Sequence, residues 1–213
     1  MNITAFPPDR IIAASLDAAA ALSNVCPNAI NPRALVRALA EVESSFGTNC
    51  APRHERAYDL RGKLHDANTP GGEALRGFRR VWGAWAACSY GPWQVMYAVA
   101  RELGFNVTPV ELAENIGLNG MVASALLRKR IFREVPTGSD RERCLEIIGD
   151  SYNTGNSRDA NIPSDYIEKL KAAYALHLGK PERTDDQGRG RRPVRPLRTQ
   201  DPRERGAPCG AWA

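Results

Sequence analysis

The sequence has no long apolar run, no metal-binding spacing and almost no strand pattern. No segment of its 213 residues approaches the roughly 18 apolar residues of a membrane-spanning helix, which excludes a membrane-embedded protein. The five cysteines contain no CxxC pair and the three histidines no HExxH spacing, so we expect no metal and no cofactor. Alternating β-branched runs are nearly absent, and the sequence therefore predicts an all-α, predominantly helical protein.

The start of the chain lacks the pattern of a secretory signal. Such a peptide has basic residues followed by an uninterrupted apolar stretch. Residues 1–9 contain no Lys or Arg, and Pro7, Pro8 and Asp9 stand where the apolar stretch would begin. We therefore expect a protein made in the cytoplasm without a recognisable signal peptide, which stays there unless another route exports it.

Charge is distributed unevenly along the chain. The net charge is +5, and most of it lies in residues 179–213, which are rich in Arg and Pro. Such a segment buries too little apolar surface to offset its ordering entropy, so we predict a disordered basic tail. Its arginines could attract anionic envelope polymers or nucleic acid, and a solvated tail without a dedicated partner is the simpler interpretation. The remaining body has balanced charge, which argues against a nucleic-acid partner.

The body divides into two predicted parts. Residues 1–29, with an Ala-rich helical pattern, predict an N-terminal helical extension packed on a main domain of residues 30–178. Asn31-Pro32 is typical of a helix start, because Asn caps and Pro is tolerated in the first turn. Residues 47–71 show no clear period and predict a long irregular segment with room for one short helix. Further helices are predicted over 73–87, 92–103, 118–126, 141–151 and 164–176.

One acidic residue stands on an apolar helix face. Glu43 follows Val36 by seven residues and Leu39 by four, so it lies at the edge of the buried stripe of its helix. Desolvation there would raise the pKa of the carboxyl, as a general acid requires near neutral pH. A face that curves into solvent would instead leave Glu43 an ordinary charged side chain.

Two other segments carry groups that suit a sugar. After the Gly91-Pro92 turn, Trp93, Gln94 and Met96 bring together an aromatic face, an amide and a soft apolar group. These groups bind sugars by apolar packing and paired hydrogen bonds, although Trp and Met fit a core equally well.

The second segment comes at the end of a predicted helix. Tyr152 precedes Asn153 and Gly155, which are typical of a helix end. A tyrosine at this position could direct its hydroxyl into a cleft or pack in the core.

Four motifs, spread over residues 30–176, together resemble the soluble lytic transglycosylase domain family, a helical, lysozyme-like family related to goose-type lysozyme. In chain order the motifs are Glu43-Ser44-Ser45-Phe46, Gly91-Pro92-Trp93-Gln94, Asn115-Ile116 with Gly120, and Tyr152-Asn153-Thr154-Gly155.

The resemblance implies a set of site residues, position by position. Ser44 would help shape the site, Gln94 and Met96 would line a glycan groove, and Tyr152 would lie near the reacting sugar with Asn153 supporting the turn. The partner would be the glycan strands of peptidoglycan.

The resemblance also implies a reaction. Glu43 would act first as acid and then as base, cleaving between N-acetylmuramic acid and N-acetylglucosamine to leave a 1,6-anhydro product. A hydrolase of the same fold, like goose-type lysozyme, would need a second carboxylate, for which Glu55, Asp59 and Asp66 are candidates. A third alternative is a non-catalytic cell-wall-binding or virion structural protein.

The biological setting follows from combining the reaction with the missing signal. A wall-cutting enzyme without a signal peptide fits a bacteriophage lysin, which is released through a membrane lesion or carried on the virion. It also fits a bacterial enzyme that a dedicated machine exports. Cys50 and Cys88 each border one of the motifs, which leaves open a Cys50–Cys88 disulfide or two free buried thiols.

Overall fold

A computed structural model describes residues 5–58, 70–155 and 164–179, and most of these residues are helical, as the sequence predicts. None of the described helices is long and apolar enough to cross a bilayer. The tail predicted to be disordered, residues 179–213, lies outside the described residues except for Gly179, and so do Asp59, Asp66 and Cys209. The helices are α1 (Pro8–Ala20), α2 (Pro32–Ser44), α3 (Pro70–Trp82), α4 (Tyr97–Glu102), α5 (Pro109–Glu114), α6 (Ile116–Leu126), α7 (Arg141–Thr154) and α8 (Ser164–Leu178).

Helix α2 is central to the packing. Its start is the predicted one, because the Asn31 side chain accepts hydrogen bonds from the backbone nitrogens of Arg33 at 2.9 Å and Ala34 at 3.1 Å. Its buried face, which includes Leu35 and Leu39, packs against both α1 and α8. The N-terminal helix α1 also packs against α6, so the residues before position 30 contribute to the core.

A small antiparallel sheet lies beside the helices, with strands in the order β1 (Arg53–His54), β2 (Cys88–Tyr90) and β3 (Val95–Met96). It corrects two predictions. The segment 47–71 supplies strand β1, which was not predicted, beside a short 3-10 turn at Arg56–Tyr58 that the prediction allowed. No helix begins at Pro92. Strands of two or three residues are too short to produce an alternating pattern that a sequence could reveal.

The connection between β2 and β3 is a tight turn fixed by a buried amide. The Asn119 Oδ1 atom accepts from the Trp93 backbone nitrogen at 3.2 Å, and its Nδ2 donates to the Tyr90 carbonyl at 2.8 Å. Gly91 has a φ of +73°, and a Cβ at this position would lie 2.6 Å from the Asn119 side chain. The turn therefore takes the place of the predicted helix start, and α4 begins only at Tyr97.

Trp93 joins this turn to the helices. Its side chain is fully buried, and its Nε1 atom donates to the Val36 carbonyl of α2 at 2.8 Å. Gly120 of α6 packs against the indole, since a Cβ there would lie 3.2 Å from it. Within the helix predicted over 118–126, Val122 is buried while Met121 is 49% exposed. A π-helical turn, Leu127–Ile131, continues the chain after α6.

Of the two alternatives for Cys50 and Cys88, the structure shows no disulfide between them. Both thiols are free and buried. The Cys50 Sγ atom donates to the Gly47 carbonyl at 3.4 Å, and the Cys88 Sγ atom donates to the Ala84 carbonyl at 3.5 Å. Each cysteine thus binds the backbone of its own chain segment, and the alternative of two free thiols holds.

Candidate functional site

A cleft of about 530 Å³ runs between α2, the small sheet, the end of α6 and the end of α7. Side chains from all of these elements line it, although they are far apart in the chain. The lining includes five of the six site residues expected from the sequence, namely Glu43, Gln94, Met96, Tyr152 and Asn153.

Glu43 lies in the last turn of α2, and its side chain is only 6% exposed. The Tyr166 hydroxyl donates to its Oε1 atom at 2.6 Å, and Arg53 Nη2 donates to its Oε2 atom at 3.4 Å. Burial raises the pKa of the Glu43 carboxyl, and these two hydrogen bonds and the Arg53 charge only partly oppose that rise. The carboxyl can therefore hold a proton at a pH where an exposed glutamate would be ionised.

The end of α2 fixes the backbone beside Glu43. The Ser44 hydroxyl donates to the Ala40 carbonyl at 2.9 Å and accepts from the Gly47 nitrogen at 2.8 Å. Ser45 then leaves the helix in the left-handed conformation, with a φ of 50°. Ser44, expected to help shape the site, is buried and does not itself line the cleft. It stabilises the turn after the acidic residue instead.

Gln94 lies at the edge of the turn and is nearly buried. Its Nε2 atom donates to the Gly91 carbonyl at 2.9 Å, and its Oε1 atom lies 2.9 Å from the Ser89 hydroxyl, which can donate to it. The amide is therefore held rigidly, with one N–H and one lone pair still able to reach into the cleft. Met96, two residues later on β3, adds a half-buried apolar group to the same wall.

Tyr152 and Asn153 approach the cleft from the end of α7, which Gly155 terminates in the left-handed conformation. The Tyr152 hydroxyl donates to the Trp93 carbonyl at 2.8 Å. Burial, and after it the neighbouring Glu43 charge, raises the pKa of Tyr152 well above its usual value. The hydroxyl therefore stays protonated and anchors the end of α7 to the β2–β3 turn, while the exposed Asn153 side chain is available to a ligand.

Two residues of the site escaped the sequence analysis. Tyr166 belongs to the first turn of α8 and reaches Glu43 only because α2 packs against α8. Arg53 lies on β1, inside the segment predicted to be irregular. Neither contact has a local signal, because no spacing in the sequence reports which faces of distant elements meet.

A second carboxylate lies in the cleft. Glu55 accepts from Arg53 Nε at 2.9 Å and lies 3.0 Å from the Ser89 hydroxyl, with 32% of its side chain exposed. It was one of three candidates for a second acid, and the other two fall outside the described residues. Arg53 thus bridges both carboxylates, Glu43 and Glu55.

Two further charged residues, Arg130 and Glu134, line the cleft. Arg130, in the π-helical turn, pairs with Glu102 at 3.6 Å. Glu134 accepts from the Ser151 hydroxyl at 2.8 Å. Within the described ranges, no group of three His, Cys, Asp or Glu side chains is arranged to hold a metal ion. The cleft therefore offers a protonatable carboxyl, amides, apolar surface and charges of both signs.

Comparison with protein-family models, with curated proteins and with solved structures gives no match for this chain.

Proposed function

We propose that this protein is a peptidoglycan lytic transglycosylase, which cleaves the β-1,4 bond between N-acetylmuramic acid and N-acetylglucosamine and leaves 1,6-anhydro ends. The observation that carries the proposal is the 6% exposed Glu43 side chain, which lines a cleft together with Gln94, Met96 and Tyr152. The order of the four sequence motifs supports it, and the proposal includes a lysozyme-like fold for the helical domain.

In the first step, Glu43 acts as general acid. Because the Tyr166 hydroxyl donates to Oε1 at 2.6 Å while Arg53 approaches Oε2 only at 3.4 Å, we assign the acidic proton to Oε2. Oε2 transfers this proton to the glycosidic oxygen while the bond from that oxygen to the anomeric carbon breaks. The N-acetyl group of the substrate supports the positive charge that develops at the anomeric carbon.

In the second step, the ionised Glu43 acts as general base. It takes the proton of the 6-hydroxyl on the same sugar, and the freed oxygen bonds to the anomeric carbon. This closes the 1,6-anhydro ring, consumes no water and restores the protonated carboxyl. One carboxylate performs both steps, so the reaction needs no second acid.

The rest of the cleft suits a glycan. Its volume of about 530 Å³ lies in the range of small-molecule sites. Met96 gives apolar surface for a sugar face, while the Gln94 and Asn153 amides can bind hydroxyl and acetamido groups. We propose the cell wall as the site of action, reached by phage release, on a virion or by dedicated export.

The test is product analysis with purified full-length protein. Sacculi digested by the wild type should yield anhydro-muropeptides in mass spectrometry, and Glu43→Gln should abolish them. Glu114→Gln is the matched control, because Glu114 is exposed at the end of α5 and does not line the cleft. Binding to sacculi without any cleavage would instead support a non-catalytic wall-binding or virion structural role.

Hydrolysis is the second candidate reaction, because Glu55 gives the cleft another carboxylate. An inverting hydrolase uses such a group to activate water at a carboxyl separation of about 6.5–9.5 Å. Muropeptides with reducing ends, in place of anhydro ends, would identify this reaction. Incorporation of one oxygen from ¹⁸O-labelled water would distinguish the two directly.

A further inference from the structure

The two hydrogen bonds of the Arg53 guanidinium are unequal. Its Nε atom binds Glu55 at 2.9 Å, within the usual range for such a bond. Its Nη2 atom reaches Glu43 Oε2 at 3.4 Å, which is long for a charge-assisted bond. The Arg53 side chain is 56% exposed, so solvent weakens both ion pairs. The contact with Glu43 is therefore the one that breaks more easily.

This contact conflicts with proton donation by Glu43. Tyr166 donates to Oε1, which leaves Oε2 as the oxygen that carries the acidic proton. Arg53 Nη2 can only donate, and it occupies Oε2. An arginine that donates to Oε2 stabilises the ionised carboxyl and takes one of the positions at which this oxygen can hold its proton, so the departure of Arg53 favours the protonated acid.

A carboxylate on the substrate supplies the force for this movement. N-acetylmuramic acid carries a lactyl group whose carboxyl is either free or extended by a peptide with carboxylates of its own. A guanidinium pairs with such a group through two parallel hydrogen bonds, which a single long contact with Glu43 cannot match. Glu55 can hold the Nε edge of Arg53 while the rest of the guanidinium turns toward the ligand.

We propose that Arg53 is a specificity-determining residue, which leaves Glu43 to bind a carboxylate of the glycan substrate and thereby frees the acid. The inference rests on the proposed function and deepens it, because it makes an anionic glycan the preferred substrate over a neutral one. A neutral glycan leaves Arg53 on Glu43 and is cleaved slowly.

Four groups face the Glu43 carboxyl, and they determine how its protonation changes when substrate binds. They are Tyr166 from α8, Tyr152 from α7, and Arg53 and Glu55 from the β1 region. Tyr166 and Tyr152 remain neutral, and Glu55 is present in both states of the site. Arg53 is therefore the one group of the four whose departure changes the charge near Glu43, and its departure raises the pKa of the carboxyl.

The experiment compares two forms of one substrate. Native sacculi are one form, and the other is the same preparation with its carboxylates converted to methylamides by carbodiimide and methylamine. We expect the wild type to lose about tenfold in kcat/KM on the amidated form, the factor for one lost charge-assisted hydrogen bond. Arg53→Gln should cleave both forms equally, and Arg53→Lys should retain part of the preference.

Arg143→Gln is the matched control. Arg143 is also half-exposed and makes one ion pair, with Glu146 at 3.2 Å, but it lies on α7 away from the cleft. This variant should keep the full preference of the wild type. Circular dichroism and thermal unfolding establish that each variant is folded.

The pH profile gives a second readout that a purely structural role would not change. The alkaline limb of kcat/KM reports the free enzyme and that of kcat the complex. With native sacculi, the alkaline limb of kcat for the wild type should lie at higher pH than that of kcat/KM. In Arg53→Gln these two limbs should coincide. An Arg53→Gln preference equal to that of the wild type would overturn the inference while leaving the proposed function intact. A wild type that cleaves neither substrate would overturn both.

Discussion

The Tyr166 hydroxyl lies 2.6 Å from Glu43 Oε1, and this hydrogen bond joins residues 123 positions apart in the chain. It connects the last turn of α2 to the first turn of α8. The bond fixes the orientation of the carboxyl and leaves Oε2, to which only Arg53 donates among the described residues, as the oxygen for chemistry. Because it favours the ionised form, it also restrains the rise in the pKa of Glu43 that burial causes.

Tyr166→Phe should therefore shift the pH dependence of cleavage upward. The lost hydrogen bond lowers the pKa of Glu43 in the wild type, so its removal raises that pKa and moves the alkaline limb of kcat/KM to higher pH. We also expect kcat to fall about tenfold or more, because the carboxyl loses its orientation. Tyr174→Phe is the control on the same helix: its hydroxyl accepts from the Asn31 nitrogen, so its loss should lower stability without moving the limb.

Glu43→Gln should change how stability depends on pH. Burial raises the folded-state pKa of Glu43 above its unfolded value, so the favourable contribution of the protonated form is complete below about pH 4.5 and is lost as pH rises through the folded value. The free energy of unfolding of the variant, relative to that of the wild type, should therefore increase as pH rises from 4 to 8. Urea unfolding at both values measures this, and a gain at pH 4 that disappears at pH 8 would contradict the burial of this carboxyl.

Asn119→Ala should loosen the turn that carries Gln94. The change removes partners from the buried Trp93 nitrogen and Tyr90 carbonyl, each of which costs about 1–3 kcal/mol when unpaired. Activity should fall with stability, since the turn forms one wall of the cleft. Asn115→Ala removes only the cap of α6 and should cost about 1 kcal/mol. Equal losses in the two variants, measured by denaturant unfolding, would show that the turn does not depend on Asn119.

Thiol titration tests whether the cysteines are free or form a disulfide. Four cysteines are free in the described residues, and three of them are buried. Under denaturing, non-reducing conditions the protein should therefore yield at least four reactive thiols per chain. Native protein should react much more slowly, because burial raises the pKa of Cys50 to about 11 and keeps it as a thiol at neutral pH. A count of three or fewer thiols would mean that a disulfide forms.

Helix boundaries with strong local chemistry could be predicted from the sequence. The start of α2 at Pro32 and the end of α7 before Gly155 depend on capping residues that act within a few positions. The helix predicted from Pro92 failed because the decisive contacts of that segment are with Asn119, far along the chain. Local propensity cannot reveal a turn that a distant amide stabilises.

The candidate site shows the same division. Glu43 could be identified because a charge on an apolar helix face is a local signal, and the motif order brought Gln94 and Tyr152 into consideration with it. Arg53 and Tyr166 could not be identified, because their contacts with Glu43 depend on strand pairing and helix packing. The chemical groups are thus partly visible in the sequence, while the groups that tune them require the structure.

Trp93 uses every polar group it has on a different helix. Its backbone nitrogen binds Asn119 of α6, its indole nitrogen binds α2, and its carbonyl accepts from Tyr152 of α7. Trp93 therefore fixes the distance between the end of α2, which carries Glu43, and the end of α7, which carries Tyr152. Replacing the indole should therefore misalign the two walls and lower turnover in a chain that stays folded.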